Sequence, residues 1–113
     1  MRVPVGHWIT GDILEDEPYV MGDMYYLDRL CTWGRKYNVQ VWIDLHAAPG
    51  SQNGFDNSGR YGNATWASDE ENVYRSIKAL EELSRHFRQT NSSDVVTGVG
   101  LINEPDPMTN LTI

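Results

Sequence analysis

The sequence predicts an α/β fold with about three parallel strands and two intervening helices. Two observations predict it. The elements alternate as strand, helix, strand, helix, strand, and two strands are nearly continuous apolar runs, as in sheets covered on both faces. The chain has 113 residues, whereas a closed barrel of such units needs roughly 250. We therefore interpret residues 1–113 as a fragment of one larger barrel domain.

The first strand is the short apolar segment at residues 2–5, and a turn-rich stretch follows it. A helix is then predicted from Asp23 to Tyr37. Asp23 can cap its first turn, and Asn38 is suited to end it. Apolar residues recur along this segment at helical spacing, which predicts one buried face.

Residues 39–45 form an apolar run that predicts a second strand. Side chains alternate along a strand, so Trp42, Asp44 and His46 share one face, and Val41, Ile43 and Leu45 share the other. A long loop with three aromatic residues continues to residue 67. Loops of this length within a compact domain are usually functional or disordered, and the aromatic residues favour function.

The pattern Ser68-Asp69-Glu70-Glu71 predicts the start of a second helix, which runs to about Arg88. The predicted buried stripe of this helix consists of Val73, Ile77, Leu80, Leu83 and Phe87. A third strand is predicted over residues 95–102, directly before Asn103-Glu104-Pro105.

Polar residues gather where the predicted strands end. Arg2 lies close to the first strand, His46 follows the second, and Asn103 and Glu104 follow the third. Ligands of parallel α/β folds bind at the carboxyl ends of the strands. The sequence therefore predicts a site at this edge of the sheet.

Composition excludes several other functions. A formal net charge of −7 argues against binding to nucleic acid or to an anionic membrane surface. No metal or other cofactor is predicted, because the three histidines fall on different elements and no glycine-rich phosphate loop occurs. The single cysteine, Cys31, is predicted to be a buried structural thiol.

Four segments resemble the fungal-type exo-β-1,3-glucanases of glycoside hydrolase family 5. They are residues 2–8, residues 41–46, the run from Ala48 to Gly59, and Leu101-Ile102-Asn103-Glu104-Pro105. The segments occur in the family's order and span essentially the whole chain. The resemblance implies a partial (β/α)8 TIM barrel, covering about the second to fourth strand units.

The resemblance also implies a retaining glycoside hydrolase that releases glucose from β-1,3-glucan. Such enzymes use two carboxyl groups about 5 to 5.5 Å apart. Glu104 matches the acid/base position, and no carboxylate of this chain matches the nucleophile. Gly100 departs from the family, whose members often carry a glutamate there.

The resemblance implies further substrate-binding positions. Asn103 matches the residue that binds the sugar 2-hydroxyl, His46 matches a histidine of the glucose subsite, and Arg2 matches an arginine that orients the nucleophile. Phe55 resembles an aromatic residue at the entrance, and Asp56 and Asn57 resemble polar sugar contacts. The substrate-binding set is thus Arg2, His46, Phe55, Asp56, Asn57 and Asn103.

We expect the parent protein to be a monomer in the extracellular space or cell wall, because the family is secreted and three Asn-x-Ser/Thr sequons occur. No signal peptide is visible in this chain. One alternative remains open, a non-catalytic glucan-binding or degenerate barrel fragment. Related β-glucanases with other linkage preferences are a further possibility.

Overall fold

In the computed structural model, residues 1–106 are described. They form β1 (Arg2–Gly6), α1 (Met24–Tyr37), β2 (Val41–Ala47), α2 (Glu70–Gln89) and β3 (Val96–Gly100), with short 3-10 helices at His7–Thr10 and Asp56–Ser58. The strands are parallel and hydrogen-bonded in the order β1-β2-β3. The predicted arrangement of three parallel strands and two helices is confirmed.

The side chains of β2 divide between the two faces of the sheet as predicted, but the expected cover on both faces is not present within residues 1–106. Val41 and Ile43 of β2 are at most 1% exposed and join a core that both helices cover. The core cluster consists of Val5, Leu27, Cys31, Val41, Ile43, Leu83, Phe87 and Val95. The opposite face carries Trp42, which is 53% exposed. Burial raises the pKa of the Cys31 thiol, which agrees with the predicted structural role.

The end of α1 explains why β2 begins later than predicted. Asp23 caps α1 by accepting a hydrogen bond from the Tyr25 amide, and Asn38 ends it in the left-handed region at φ 53°. The Val39 amide then donates to the carbonyl of Gly34, which ties Val39 to the helix end. The strand therefore spans residues 41–47 instead of 39–45.

Helix α2 is rotated relative to the prediction. Its N-cap is Asp69, which accepts from the Glu71 amide at 3.0 Å, and not Ser68. Within the predicted stripe, Leu83 and Phe87 are buried, but Ile77 is 50% exposed, so its predicted burial is wrong. The buried residues of this helix are Arg75, Ser76, Ala79, Leu83 and Phe87.

An ion-pair network explains the rotation of α2. The Arg75 guanidinium is buried and lies 2.8 Å from carboxylate oxygens of both Asp12 and Glu17, which belong to the loop after β1. His7 is fully buried beside them, with Nε2 at 3.6 Å from Glu17. Because a buried guanidinium requires partners, the network fixes α2 against this loop.

The same network shifts the pKa values of its members. Burial lowers the pKa of His7, which favours the neutral ring. Burial alone would raise the pKa of Glu17, but hydrogen bonds from Arg75 and the Leu14 amide lower it to about 2. Glu17 hydrogen bonds raise the pKa of Arg75.

Strand β3 is shorter than predicted and ends at Gly100 instead of residue 102. Leu101 leaves the sheet and is 72% exposed. The chain then returns to β2, because the Asn103 amide donates to the Leu45 carbonyl at 3.0 Å. This return brings residues 103–106 over the end of β2. No helix within residues 1–106 has the length and apolar character needed to cross a membrane.

Candidate active site

Asp44 is the charged centre of the candidate site. It lies in the middle of β2 and is 4% exposed. Its Oδ2 lies 2.7 Å from a guanidinium nitrogen of Arg2 and 2.8 Å from Nδ1 of His46. A buried carboxylate is stable only with such partners. Asp44 therefore holds the Arg2 and His46 side chains on the same face of the sheet.

Arg2 reaches the site from an unexpected direction. The structure places it at the first residue of β1, as the predicted strand over residues 2–5 does, and so at the end opposite to the carboxyl end where the site was expected. Its long side chain crosses to Asp44, and the same terminal nitrogen donates to Oδ1 of Asn103. Arg2 thereby joins β2 to the segment that follows β3.

Asn103 presents one unused hydrogen-bond donor. The residue is 5% exposed, and its Oδ1 is occupied by Arg2. Its Nδ2 is buried and has no hydrogen-bond partner among residues 1–106. A buried amide donor without a partner is costly, so its persistence is typical of a group that serves a ligand.

Glu104 is exposed directly beside Asn103. Its backbone adopts the left-handed region at φ 44°, which is unusual for a residue with a side chain. Its Oε2 lies 3.5 Å from Nδ2 of Asn57, at the outer limit of a hydrogen bond. The carboxyl group is thus held loosely. The backbone of this segment is held by hydrogen bonds to the Glu104 carbonyl and from the Asn103 amide.

The loop after β2 supplies the other predicted positions. Phe55 is 61% exposed and precedes the 3-10 helix that carries Asp56 and Asn57, both exposed. The buried hydroxyls of Ser51 and Ser58 contact each other at 2.5 Å beneath this turn. The structure brings Asn57 to Glu104. Within residues 1–106, no hydrogen bond, ion pair or ring contact joins the Phe55 or Asp56 side chain to the other predicted positions.

Small residues on β3 make room for the polar face of β2. A Cβ atom at Gly98 would lie 2.9 Å from the Trp42 ring, and one at Gly100 would lie 3.0 Å from Oδ1 of Asp44. A larger residue at Gly100 would therefore displace the carboxylate that holds Arg2 and His46. The departure of Gly100 from the family pattern thus lies directly against the site.

Two buried amides of the loop were not singled out from the sequence. Gln52 donates from Nε2 to the carbonyls of His46 at 2.7 Å and Asn103 at 2.9 Å. Asn53 donates from Nδ2 to the Glu104 carbonyl at 3.1 Å. Both lie in the run that carries the family resemblance, but only the fold shows which carbonyls they reach.

Asp44 joins Arg2 to His46, and Arg2 in turn binds Asn103. Glu104 lies beside Asn103, within reach of Asn57. Within residues 1–106, no group of three His, Cys, Asp or Glu side chains is placed to hold a metal ion. Parallel strands that alternate with helices define a segment of a (β/α) barrel, and the polar side chains gathered on β2 and after β3 form its candidate ligand site.

Comparison with known proteins supports this class and makes it more specific. The chain is 43% identical to the glucan 1,3-beta-glucosidase of Pichia angusta over 105 residues, which is 93% of this chain and 24% of the relative. It is 47% identical over the same length to the glucan 1,3-beta-glucosidase of Blumeria graminis, with the same coverage. The chain is thus homologous to about a quarter of these glycoside hydrolases, and the predicted resemblance is confirmed. No family model matches the chain.

Solved structures show the same fold. The crystal structure of rutinosidase from Aspergillus niger superposes with a TM-score of 0.83 at 24% identity, covering 97% of this chain and 31% of that chain. The structure of AoRut superposes with a TM-score of 0.84 at 19% identity, covering 99% of this chain and 31% of the other. The predicted partial (β/α) barrel is confirmed.

Proposed function

We propose that this chain is part of the catalytic barrel of a retaining exo-β-1,3-glucanase, which releases glucose from the ends of β-1,3-glucan. The observation that carries the proposal is the pair Asn103 and Glu104 at the carboxyl end of β3. Side by side, Asn103 offers a buried donor that has no partner among residues 1–106, and Glu104 offers an exposed carboxyl group. The homology to glucan 1,3-beta-glucosidases supports the substrate class.

Glu104 acts as the acid/base of this reaction. It donates a proton to the oxygen of the leaving glucosyl unit, and its carboxylate then activates the water that releases glucose. Asn103 donates from Nδ2 to the sugar 2-hydroxyl, a contact that strengthens in the transition state. The second carboxylate, the nucleophile, comes from a part of the barrel outside this chain.

The remaining site residues bind and orient. Asp44 accepts from Nδ1 of His46, which leaves Nε2 of that ring for a sugar hydroxyl. Arg2 orients the nucleophilic carboxylate. Phe55 presents an exposed ring to the apolar face of a leaving glucosyl unit, with Asp56 and Asn57 beside it for the hydroxyls.

Exposed apolar surfaces support the proposal that the chain belongs to a larger barrel. A wholly apolar hollow of about 300 Å³ borders the β1 side, lined by Met1, Leu30, Trp33, Gly34, Tyr37 and Val39. A second hollow of about 430 Å³ lies between α2 and the end of β3, where Ile77 and Leu101 are exposed. Neighbouring β/α units on both flanks would bury these surfaces.

A hybrid barrel tests the proposed function. We define the hybrid barrel as the Pichia angusta relative in which the present chain replaces the matching 105 residues. We expect a folded hybrid barrel to release glucose from β-1,3-glucan oligosaccharides. A hybrid barrel that folds cooperatively but releases no glucose would contradict the proposal.

The isolated 113-residue chain is expected to be inactive. It has an acid/base but lacks the nucleophile, and retaining hydrolysis requires both carboxyl groups. The measurement is glucose release from a β-1,3-glucan oligosaccharide by the purified chain, against the hybrid barrel at equal concentration. Hydrolysis by the isolated chain would contradict the proposal that the nucleophile comes from outside this chain.

The non-catalytic alternative makes a different prediction about the isolated chain. A protein that functions at this length should unfold in one sharp, reversible transition, because its core would be complete. A barrel fragment with two exposed apolar flanks should aggregate or melt without cooperativity. Thermal unfolding followed by circular dichroism distinguishes the two.

The ion-pair network predicts a pH-dependent stability. The pKa of Glu17 is lowered from 4.5 to about 2, so its stabilising effect is complete above pH 4.5 and is lost as the pH falls towards 2. We expect Glu17→Gln to lower the free energy of unfolding of the hybrid barrel at pH 7 by at most about 3 kcal/mol. The difference between the two proteins should shrink as the pH falls from 4.5 towards 2. Urea unfolding between pH 7 and 3 measures it, with the exposed Glu15→Gln as control. A constant difference across this range would contradict the assignment.

We also propose that the parent protein is a secreted monomer. Asn63 and Asn91 begin two of the three sequons, and both are exposed. The third sequon begins at Asn110 and lies outside the described residues. Mass spectrometry of protein secreted from a fungal host, before and after enzymatic deglycosylation, tests which of these asparagines carry a glycan.

A further inference from the structure

Gln52 forms a fully bonded, buried link between the ends of β2 and β3. Its side chain is 1% exposed. Its Oε1 accepts from the Ala48 amide at 3.1 Å, and its Nε2 donates to the carbonyls of His46 and Asn103. Its own carbonyl accepts from the Asp106 amide at 3.0 Å. One residue thus fixes the chain on both sides of Glu104.

Asn53 extends this link to Glu104 itself. Its Nδ2 donates to the Glu104 carbonyl at 3.1 Å, and its Oδ1 accepts from the Phe55 amide at 2.9 Å. Asn53 is 8% exposed, so water does not readily replace either contact. We call these hydrogen bonds from Gln52 and Asn53 to residues 103–106 the β2–β3 link.

The backbone of Glu104 needs such a link. A non-glycine residue at φ 44° is strained and persists only when its surroundings determine its conformation. The Glu104 carboxyl group has one described side-chain contact, to Asn57 at 3.5 Å, which is too long to fix it. The direction of the carboxyl group is therefore set by the backbone that the β2–β3 link holds.

We propose that Gln52 and Asn53 are positioning residues for the acid/base Glu104. The proposal rests on the proposed function of Glu104. The β2–β3 link keeps Glu104 in the left-handed conformation, so that its carboxyl group meets the glycosidic oxygen. Neither amide side chain touches the sugar in this account, because both are buried beneath the loop.

The test uses two variants of the hybrid barrel and one control. Gln52→Met keeps the side-chain volume but removes all three side-chain hydrogen bonds. Asn53→Asp keeps the acceptor for the Phe55 amide but replaces the donor to the Glu104 carbonyl with a charged acceptor oxygen. It is the second test in case Gln52→Met does not fold. Thr65→Val is the control, because it removes a hydrogen bond of the same loop, to the Gly50 carbonyl, that does not involve residues 103–106. All proteins are produced in a host that does not glycosylate, because this change also removes the Asn63 sequon.

Two substrates separate positioning of the acid from general damage. Hydrolysis of a β-1,3-linked oligosaccharide requires protonation of the leaving oxygen, whereas a dinitrophenyl β-glucoside has a leaving group that departs without a proton. We expect both variants to lower kcat/KM for the oligosaccharide by about 10- to 100-fold and for the dinitrophenyl glucoside by less than about threefold. Thr65→Val should change neither. Equal losses on both substrates would overturn the proposal.

A structural measurement separates this proposal from the proposed function. Crystal structures of the hybrid barrel and its Asn53→Asp variant report the φ angle of Glu104 and the position of its carboxyl group whether or not glucose is released. We expect the carboxyl group to move or to lose its density in the variant. An unchanged Glu104 would overturn the positioning role, while an inactive hybrid barrel would overturn the proposed function alone.

Discussion

Replacing Glu104 with alanine in the hybrid barrel is expected to lower kcat/KM for a β-1,3-glucan oligosaccharide by about 10²- to 10⁴-fold, the usual contribution of a general acid. The physical reason is that the leaving sugar oxygen would depart as an alkoxide unless a proton is supplied. Glu104 is the exposed carboxyl group beside the free donor of Asn103. Steady-state kinetics with the oligosaccharide measures the loss.

Restoration of activity by azide distinguishes the loss of an acid/base from the loss of a residue with another role. With a dinitrophenyl glucoside, the variant should still form the glycosyl-enzyme, but water attack should be slow because no base activates it. Azide needs no base, so it attacks the anomeric carbon, displaces the enzyme carboxylate and gives a β-glucosyl azide. The control is Glu82→Gln in α2, a carboxyl group whose side chain is 42% exposed. A loss that azide does not restore would assign Glu104 another role.

Replacing Asn103 has the second largest expected effect. Asn103→Ala removes the buried Nδ2 donor, and contacts to the 2-hydroxyl contribute several kcal/mol in the transition state, so kcat/KM should fall by about 10²-fold or more. The same substitution should change the hydrolysis of a 2-deoxyglucoside by less than about fivefold, because that substrate lacks the hydroxyl. Kinetics of both proteins on both substrates measure this coupling.

A matched variant separates the donor from the structural contact of Asn103. Asn103→Asp keeps the Oδ1 acceptor that binds Arg2 and replaces the Nδ2 donor with a charged acceptor oxygen. Like Asn103→Ala, this variant should lower kcat/KM for the glucoside much more than kcat/KM for the 2-deoxyglucoside. Equal losses of the Asn103→Ala variant on the glucoside and the 2-deoxyglucoside, with no loss for Asn103→Asp, would show instead that Asn103 serves only to hold Arg2.

Local sequence signals predicted the elements of the fold well. Asp23 and Asn38 mark the two ends of α1 because capping depends on residues close in sequence. The predictions for β2 and α2 were less accurate because long-range contacts decide their limits and rotation. Burial of Arg75 against Asp12 and Glu17 joins residues 58 or more positions apart, so no local pattern of apolar residues reveals it.

The sequence singled out the motif residues of the candidate site but not the ion pairs and hydrogen bonds that join them. Asn103 and Glu104 follow a strand and carry a family motif, so the sequence locates them. The role of Asp44 as joint acceptor for Arg2 and His46 appears only when the strands are aligned. One signal was available, since an acidic residue within an apolar strand requires a buried partner. Gln52 had no such signal, because its acceptors are backbone carbonyls.

The anomeric configuration of the first product of the hybrid barrel tests the central claim most directly. Proton NMR, recorded before mutarotation, distinguishes the two anomers of glucose released from a β-1,3-glucan oligosaccharide. Double displacement with Glu104 as acid/base predicts β-glucose, and the signal should vanish with Glu104→Ala. Release of α-glucose, or undiminished release of glucose by the Glu104→Ala variant, would contradict the account.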